Sequence, residues 1–163
     1  MVETPPIVYY EQERADFASG SLCREWRARY PQLFDELDLK RALTQPRRHF
    51  REWRAAIELF KNTGCKCLYE KYQFRKAHPR KFEIFEQLVP PRVRALLPPT
   101  GRPQGPDLFM YSDATAEWFF AEAKRSGEPL TKSQRQLFPA LERRSGWPIR
   151  VVRFIELKGR RAG

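Results

Sequence analysis

The stretch from Gly105 to Lys124, GPDLFMYSDATAEWFFAEAK, decides how the rest of the chain is read. Gly105-Pro106 closes a loop, and Asp107 opens an apolar run that ends at Tyr111. The polar turn Ser112-Asp113-Ala114-Thr115 follows, and Trp118–Ala123 forms a second apolar run. Short apolar runs bounded by turn residues read as strands. Period-2 alternation then puts Glu122 and Lys124 on one side of the second strand. If the two strands pair as a hairpin, Asp107 comes close to both. Two carboxylates beside a lysine suit a hard divalent cation, because Mg²⁺ takes oxygen ligands, retains waters and can share a phosphate oxygen. The plainer use of the same residues is an ordinary cross-strand ion pair on a surface hairpin.

Working outward, Arg48–Asn62 has helical spacing, with Trp53, Ile57 and Phe60 on one face and Gly64 as the stop. Cys65–Phe74 alternates as a strand. Residues 79–97 predict a helical insert, and the prolines and glycines of 98–106 a loop. Beyond the hairpin, Thr131–Arg144 predicts a helix that Pro139 should kink or shorten, and Ile149–Leu157 a last apolar strand. The order helix, strand, insert, strand, strand, helix, strand is an α/β arrangement on a small central sheet. Residues 1–46 read as a helical N-terminal accessory region, with helices near Tyr9–Phe17 and Leu22–Tyr30 and a turn from Pro31 to Leu39. Gln45-Pro46 marks the boundary to a domain over 47–163, because the residue before proline resists helix.

The composition points to a polyanionic partner. The 163 residues carry 31 Lys plus Arg against 20 Asp plus Glu, a formal charge of +11. The excess is local: residues 1–40 sum to −3, residues 41–103 to +10 and residues 104–163 to +4. In the middle, cations alternate with rings at Arg47, Arg48, Phe50, Arg51, Trp53 and Arg54, and again at Lys71, Tyr72, Phe74, Arg75 and Lys76. Such cations neutralise phosphates while aromatic faces stack on exposed bases; a helix with its rings inward and its arginines in water uses the same pattern. An apolar fraction of 41% excludes a disordered basic tail. No run is long enough to span a membrane, and Met1–Tyr10 lacks the pattern of a signal peptide. Three cysteines cannot pair completely, so a reducing, cytoplasmic setting is expected.

Pro106-Asp107 followed by Glu122-Ala123-Lys124 resembles the PD-(D/E)XK nuclease signature. With Leu130-Thr131-x-x-Gln134 and Val151-Val152-Arg153 downstream, the chain resembles the VRR-NUC (virus-type replication-repair nuclease) branch of that superfamily. The resemblance follows element order over residues 48–157, with its strongest motifs in 105–157. It implies an αβββαβ restriction-endonuclease-like core, a small mixed sheet flanked by helices, here carrying an insert at 75–104. It implies a Mg²⁺- or Mn²⁺-dependent endonuclease that hydrolyses DNA phosphodiesters, with flaps or junctions as frequent substrates. By position, Asp107, Glu122 and the Ala123 carbonyl would hold the metal. Lys124 would be the catalytic lysine, and Gln134 would help to position metal-bound water. An acid from the first helix completes such sites: Glu52 is the choice, with Glu58 and Glu70 left open. Arg47, Arg48, Arg51, Arg54, Lys71, Arg75, Lys76, Arg125 and Lys132 are the candidate DNA contacts, and the insert a candidate clamp. Members act in repair or phage replication or as antibacterial toxins, so a homodimer and a small acidic immunity protein are both open partners. A non-catalytic DNA-binding module on the same fold is the alternative.

Other signals are weaker. Cys65-x-Cys67 lacks a second ligand pair for zinc and reads as a packed strand. His49 and His78 lie too far apart to suggest a histidine mechanism, and Lys158–Arg161 reads as a solvated tail. No Walker glycine loop or Gly-x-Ser-x-Gly elbow is present.

Overall fold

Six strands and seven helices form within residues 1–162, which the computed structural model describes. In chain order they are β1 (Val2–Glu3), β2 (Ile7–Tyr10), α1 (Glu11–Ala18), α2 (Ser21–Arg29), α3 (Glu36–Thr44), α4 (Phe50–Thr63), β3 (Lys66–Tyr69), α5 (Pro79–Leu88), α6 (Pro91–Arg94), β4 (Leu108–Tyr111), β5 (Trp118–Arg125), α7 (Lys132–Ser145) and β6 (Arg150–Leu157). They make one mixed sheet of order β1-β6-β5-β4-β3, with β2 also on β6. β3, β4 and β5 are antiparallel neighbours, whereas β6 runs parallel to β5, β1 and β2.

The sheet is covered on both faces. Leu108, Met110, Phe119 and Ala121 pack under α4 with Trp53, Ala56 and Ile57, while Phe109, Trp118 and Phe120 pack with Phe85, Leu137 and Phe138. That split is the period-2 alternation of the strands. α4 forms because six of its residues are apolar and buried, and Gly64 at φ +73° ends it in the left-handed conformation.

The N-terminal stretch differs from expectation. Tyr9–Phe17 was predicted as helix, but Ile7–Tyr10 is a strand and the helix begins at Glu11. The reason is tertiary: Ile7–Tyr10 pairs in register with Phe154–Leu157. Proline lacks the ladder N–H, so Pro5-Pro6 divides this edge strand in two. Three residues, 4–6, stand opposite the two residues 152 and 153, a bulge between β1 and β2. Helices α1 to α3 share a core with α4. Phe34 stacks on Trp53 with ring centroids 3.7 Å apart, and Phe17 meets the same indole edge-on at 5.6 Å.

Two further expectations are corrected. The strand predicted to reach Phe74 stops at Tyr69, because Glu70 and Lys71 turn the chain at φ +46° and +57°. α7 is not shortened by Pro139. The N–H that proline lacks would have bonded the Arg135 carbonyl, which lies on an exposed turn open to water.

The insert contributes α5, α6 and a proline-rich strap. Gln73 pins that strap by donating to the carbonyls of Pro98 and Pro103 and accepting the Gly105 N–H at 2.6 Å. A buried charge cluster ties the insert to α3: Lys81 Nζ donates to Asp38 at 2.6 Å and to the Tyr69 carbonyl at 2.5 Å, and Arg80 reaches Asp35 at 2.9 Å.

Candidate active site

The site begins where β4 stops short and β5 continues. Leu108 pairs with Ala121, so Pro106 would stand opposite Ala123. Proline has no N–H to offer the Ala123 carbonyl, so the ladder ends there, and the Ala123 N–H donates to Asp107 Oδ2 at 3.0 Å. The Asp107 N–H in turn donates to Glu122 Oε2 at 3.0 Å. Gly105 and Pro106 are fixed by Tyr72, whose hydroxyl donates to the Pro106 carbonyl at 2.6 Å. A Cβ at Gly105 would lie 2.5 Å from that hydroxyl, so the position requires glycine.

Glu122 and Lys124 project from the same side of β5, and both are buried. Lys124 Nζ lies 3.3 Å from Glu122 Oε1 and 3.5 Å from Glu128 Oε1. Gln134 completes the group from the first turn of α7. Its Nε2 donates to Glu122 Oε1 at 2.5 Å. Its N–H and Oε1 close a capping box with Thr131, at 3.2 and 3.0 Å. The Ala123 carbonyl points to the same edge as its N–H, because an extended residue presents both groups to one neighbour.

Burial raises the Asp107 carboxyl well above its usual range, with the charges of Glu122 and Glu52 adding to it. Glu122 is raised by burial, against the pull of Lys124 and its hydrogen bonds from Asp107 and Gln134. Glu52, at the start of α4, is raised by burial and then by Glu70. Glu70 is the exception: burial works to raise it, but His49, Arg41 and Lys71 outweigh burial and hold it low. Four carboxyls thus converge on one end of the sheet, where Lys124 is the one buried cation beside Glu122. Those converging oxygen donors, three of which burial keeps from ionising without a counter-ion, fit a hard divalent ion.

A cleft of about 240 Å³ opens beside Asp107, lined by Arg41, Arg48, His49, Glu70 and Lys71 among others. Of the candidate DNA contacts, Arg48 and Lys71 line this cleft, Arg47 is exposed beside Arg48, and Arg125 and Lys132 are exposed next to Lys124 and Gln134. Arg51 lies close enough to Glu52 and Glu128 to stabilise both anions. Three others are elsewhere. Arg54 pairs with Glu58 at 3.3 Å and lines a separate cleft with Thr4–Val8. Arg75 covers the Phe82 ring at 4.8 Å, and Lys76 lines the groove beside it. Arg54 and Glu58 are carried off by helix geometry: two residues turn the helix by about 200° from Glu52, and six by about 240°.

Both histidines meet a carboxylate that no spacing in the sequence would have joined to them. His49 Nδ1 is 3.3 Å from Glu70 Oε1, and His78 Nε2 is 3.2 Å from Asp35 Oδ2. Asp35, Asp38 and His78 also gather closely enough to share an ion. Their negative charge is already matched there by Lys81 and Arg80.

No protein-family model matches the chain, and neither a curated protein nor a solved structure does. Among the described residues no helix is long and apolar enough to cross a membrane.

Proposed function

We propose that the chain is a divalent-metal-dependent DNA endonuclease of the PD-(D/E)XK type, in the manner of the VRR-NUC nucleases. The observation that carries this reading is the convergence of Asp107, Glu122, Lys124 and Gln134 at the fork of β4 and β5. Support also comes from the succession α4, β3, β4, β5, α7, β6, which is the αβββαβ order once α5 and α6 are set aside.

Asp107, Glu122 and the Ala123 carbonyl would hold Mg²⁺ or Mn²⁺. Bound there, the ion would polarise a phosphate oxygen and lower the pKa of a water. Gln134 fixes the Glu122 carboxylate from one side while the Asp107 N–H fixes it from the other. Lys124, held beside Glu122, stands ready to neutralise charge that develops on the phosphoryl oxygens. Glu52 adds negative charge that favours the loaded site. Arg48, Lys71, Arg125 and Lys132 supply cations for the flanking phosphates.

Incubation of the full chain with labelled linear, flap and four-way DNA, with Mg²⁺, Mn²⁺ or chelator, tests the proposal. Metal-dependent cleavage is expected, falling about 100-fold or more in a folded Lys124→Ala variant. No cleavage by the wild type under any of these conditions sinks it. DNA binding that is indifferent to metal and to Asp107→Ala, without cleavage, identifies a binding module instead.

A further inference from the structure

A groove between α5, α6 and the proline-rich strap takes no part in the site described above. It encloses about 780 Å³, within the range of pockets that bury small ligands. Its floor is apolar: Phe82, Phe85 and Leu97 are buried there, and half-buried Phe74 lines both this groove and the cleft beside Asp107. Its rim is basic, with Arg75, Lys76 and Arg94 set against one carboxylate, Glu86. Arg94 holds Glu86 at 3.2 Å and donates to the Val89 carbonyl at 3.0 Å, so that pair is fixed. Arg75 lies farther from Glu86, at 3.6 Å, and Lys76 pairs with no carboxylate among the described residues. The Arg75 guanidinium lies over the Phe82 ring at 4.8 Å while its side chain is 68% exposed, so its outer face is open.

We propose that this groove holds a single-stranded arm of the DNA substrate, its bases against Phe74 and the Arg75 guanidinium and its phosphates beside Lys76. That the strand is DNA rests on the nuclease reading; that it is unpaired follows from the lining. A duplex keeps its base faces inside and presents phosphates, for which an apolar floor has no use. An unpaired strand offers base faces and phosphates together, and rings set among cations match both. A guanidinium plane takes a base much as an aromatic ring does. The path from the candidate site is continuous. Lys71 Nζ lies 5.6 Å above the Phe74 ring, and both residues line the cleft at Asp107. A strand that leaves the cleft past Lys71 therefore meets Phe74 and then Arg75. Every groove residue lies between β3 and β4, so the insert alone builds this site.

Fluorescence anisotropy of the full chain in EDTA, which withholds metal, tests it. A labelled blunt duplex is compared with the same duplex carrying a thymidine arm of about ten nucleotides at either end. The arm is expected to raise affinity about tenfold. An arm of abasic residues, which keeps the phosphates and lacks the bases, should lose most of that gain. Arg75→Lys keeps the charge and removes the stacking plane, and should cut the gain severalfold. Phe74→Leu keeps apolar volume without the ring and should do the same; loss of the gain in either folded variant upholds the proposal. A gain undiminished in both variants, or kept by the abasic arm, overturns it. So does a gain from a uridine RNA arm alone, which makes the groove a site for RNA. No gain from any arm overturns it too, and cleavage of the same duplexes in Mg²⁺ then leaves the nuclease reading intact. A gain that the variants lose, without cleavage in Mg²⁺ or Mn²⁺, upholds the groove and removes the nuclease reading.

Discussion

Gln134 and Glu122, from different elements, are locked together: the amide nitrogen donates to Glu122 Oε1 at 2.5 Å while the amide oxygen accepts the Thr131 N–H at 3.0 Å. One side chain therefore caps α7 and fixes the orientation of the β5 carboxylate. Removal should be felt in both places.

Gln134→Ala is expected to lower stability by about 1 kcal/mol through the lost half of the capping box. It should also weaken Mg²⁺ binding and cleavage by about tenfold, as loss of a supporting hydrogen bond does. Urea denaturation reads the first effect, and calorimetry with single-turnover cleavage the second. A variant that loses stability alone would reduce Gln134 to a cap.

Asp107→Asn should stabilise the metal-free protein while it abolishes cleavage. Asp107 is raised by burial and by the neighbouring Glu122 and Glu52, so its ionised form opposes folding at neutral pH. Asparagine removes that charge and keeps an oxygen for the Ala123 N–H. Thermal unfolding should show a higher Tm for the variant without metal, with about 2–4 °C corresponding to each kcal/mol in a chain of this size. Mg²⁺ should raise the Tm of the wild type and leave the variant unmoved.

Acid sensitivity should arise at the α3–α5 junction. Burial alone would raise the Asp35 carboxyl, but His78, the Asp38 N–H and Arg80 outweigh it and hold it far below the usual range. A carboxyl depressed in the folded state contributes stability above its unfolded pKa of about 3.9, and loses it as pH falls below. Asp35→Asn should therefore cost about 1 kcal/mol or more at pH 7. The difference from wild type should narrow as denaturation is repeated down to about pH 3. A gap that stays constant would assign the effect to shape rather than charge.

A chain truncated to 47–163 is expected not to fold. It would lose the stacked Phe34 and the edge-on Phe17 from Trp53, β2 from the edge of β6, and Asp38 from the buried Lys81. Removing one partner of a buried ion pair alone costs about 3–5 kcal/mol. Circular dichroism and proton NMR of the truncated chain check this; a cooperative native spectrum would make residues 1–46 dispensable.

Much of this was legible in the sequence because it is local. The alternation in Trp118–Ala123, the helical spacing of Trp53 and Ile57, the Thr131–Gln134 cap and the stop at Gly64 are written in neighbours a few residues apart. So was the pairing of Asp107 with Glu122 and Lys124, since a short hairpin leaves little choice of register. Tertiary structure alone decided the rest. Ile7–Tyr10 became a strand because β6 offered an edge, against a local pattern that read as helix. Glu52 and Glu70 were chosen over Glu58 by the angle at which α4 meets the sheet and by the turn after Tyr69. His49 reached Glu70, and Lys81 reached Asp38, across separations for which no periodicity exists. Period and turn chemistry act over one or two turns of chain, whereas the partner of a buried charge is set by packing of the whole core. The sequence by itself determined the α/β elements and the group of Asp107, Glu122, Lys124 and Gln134. Only the fold decided which other acids and cations surround them.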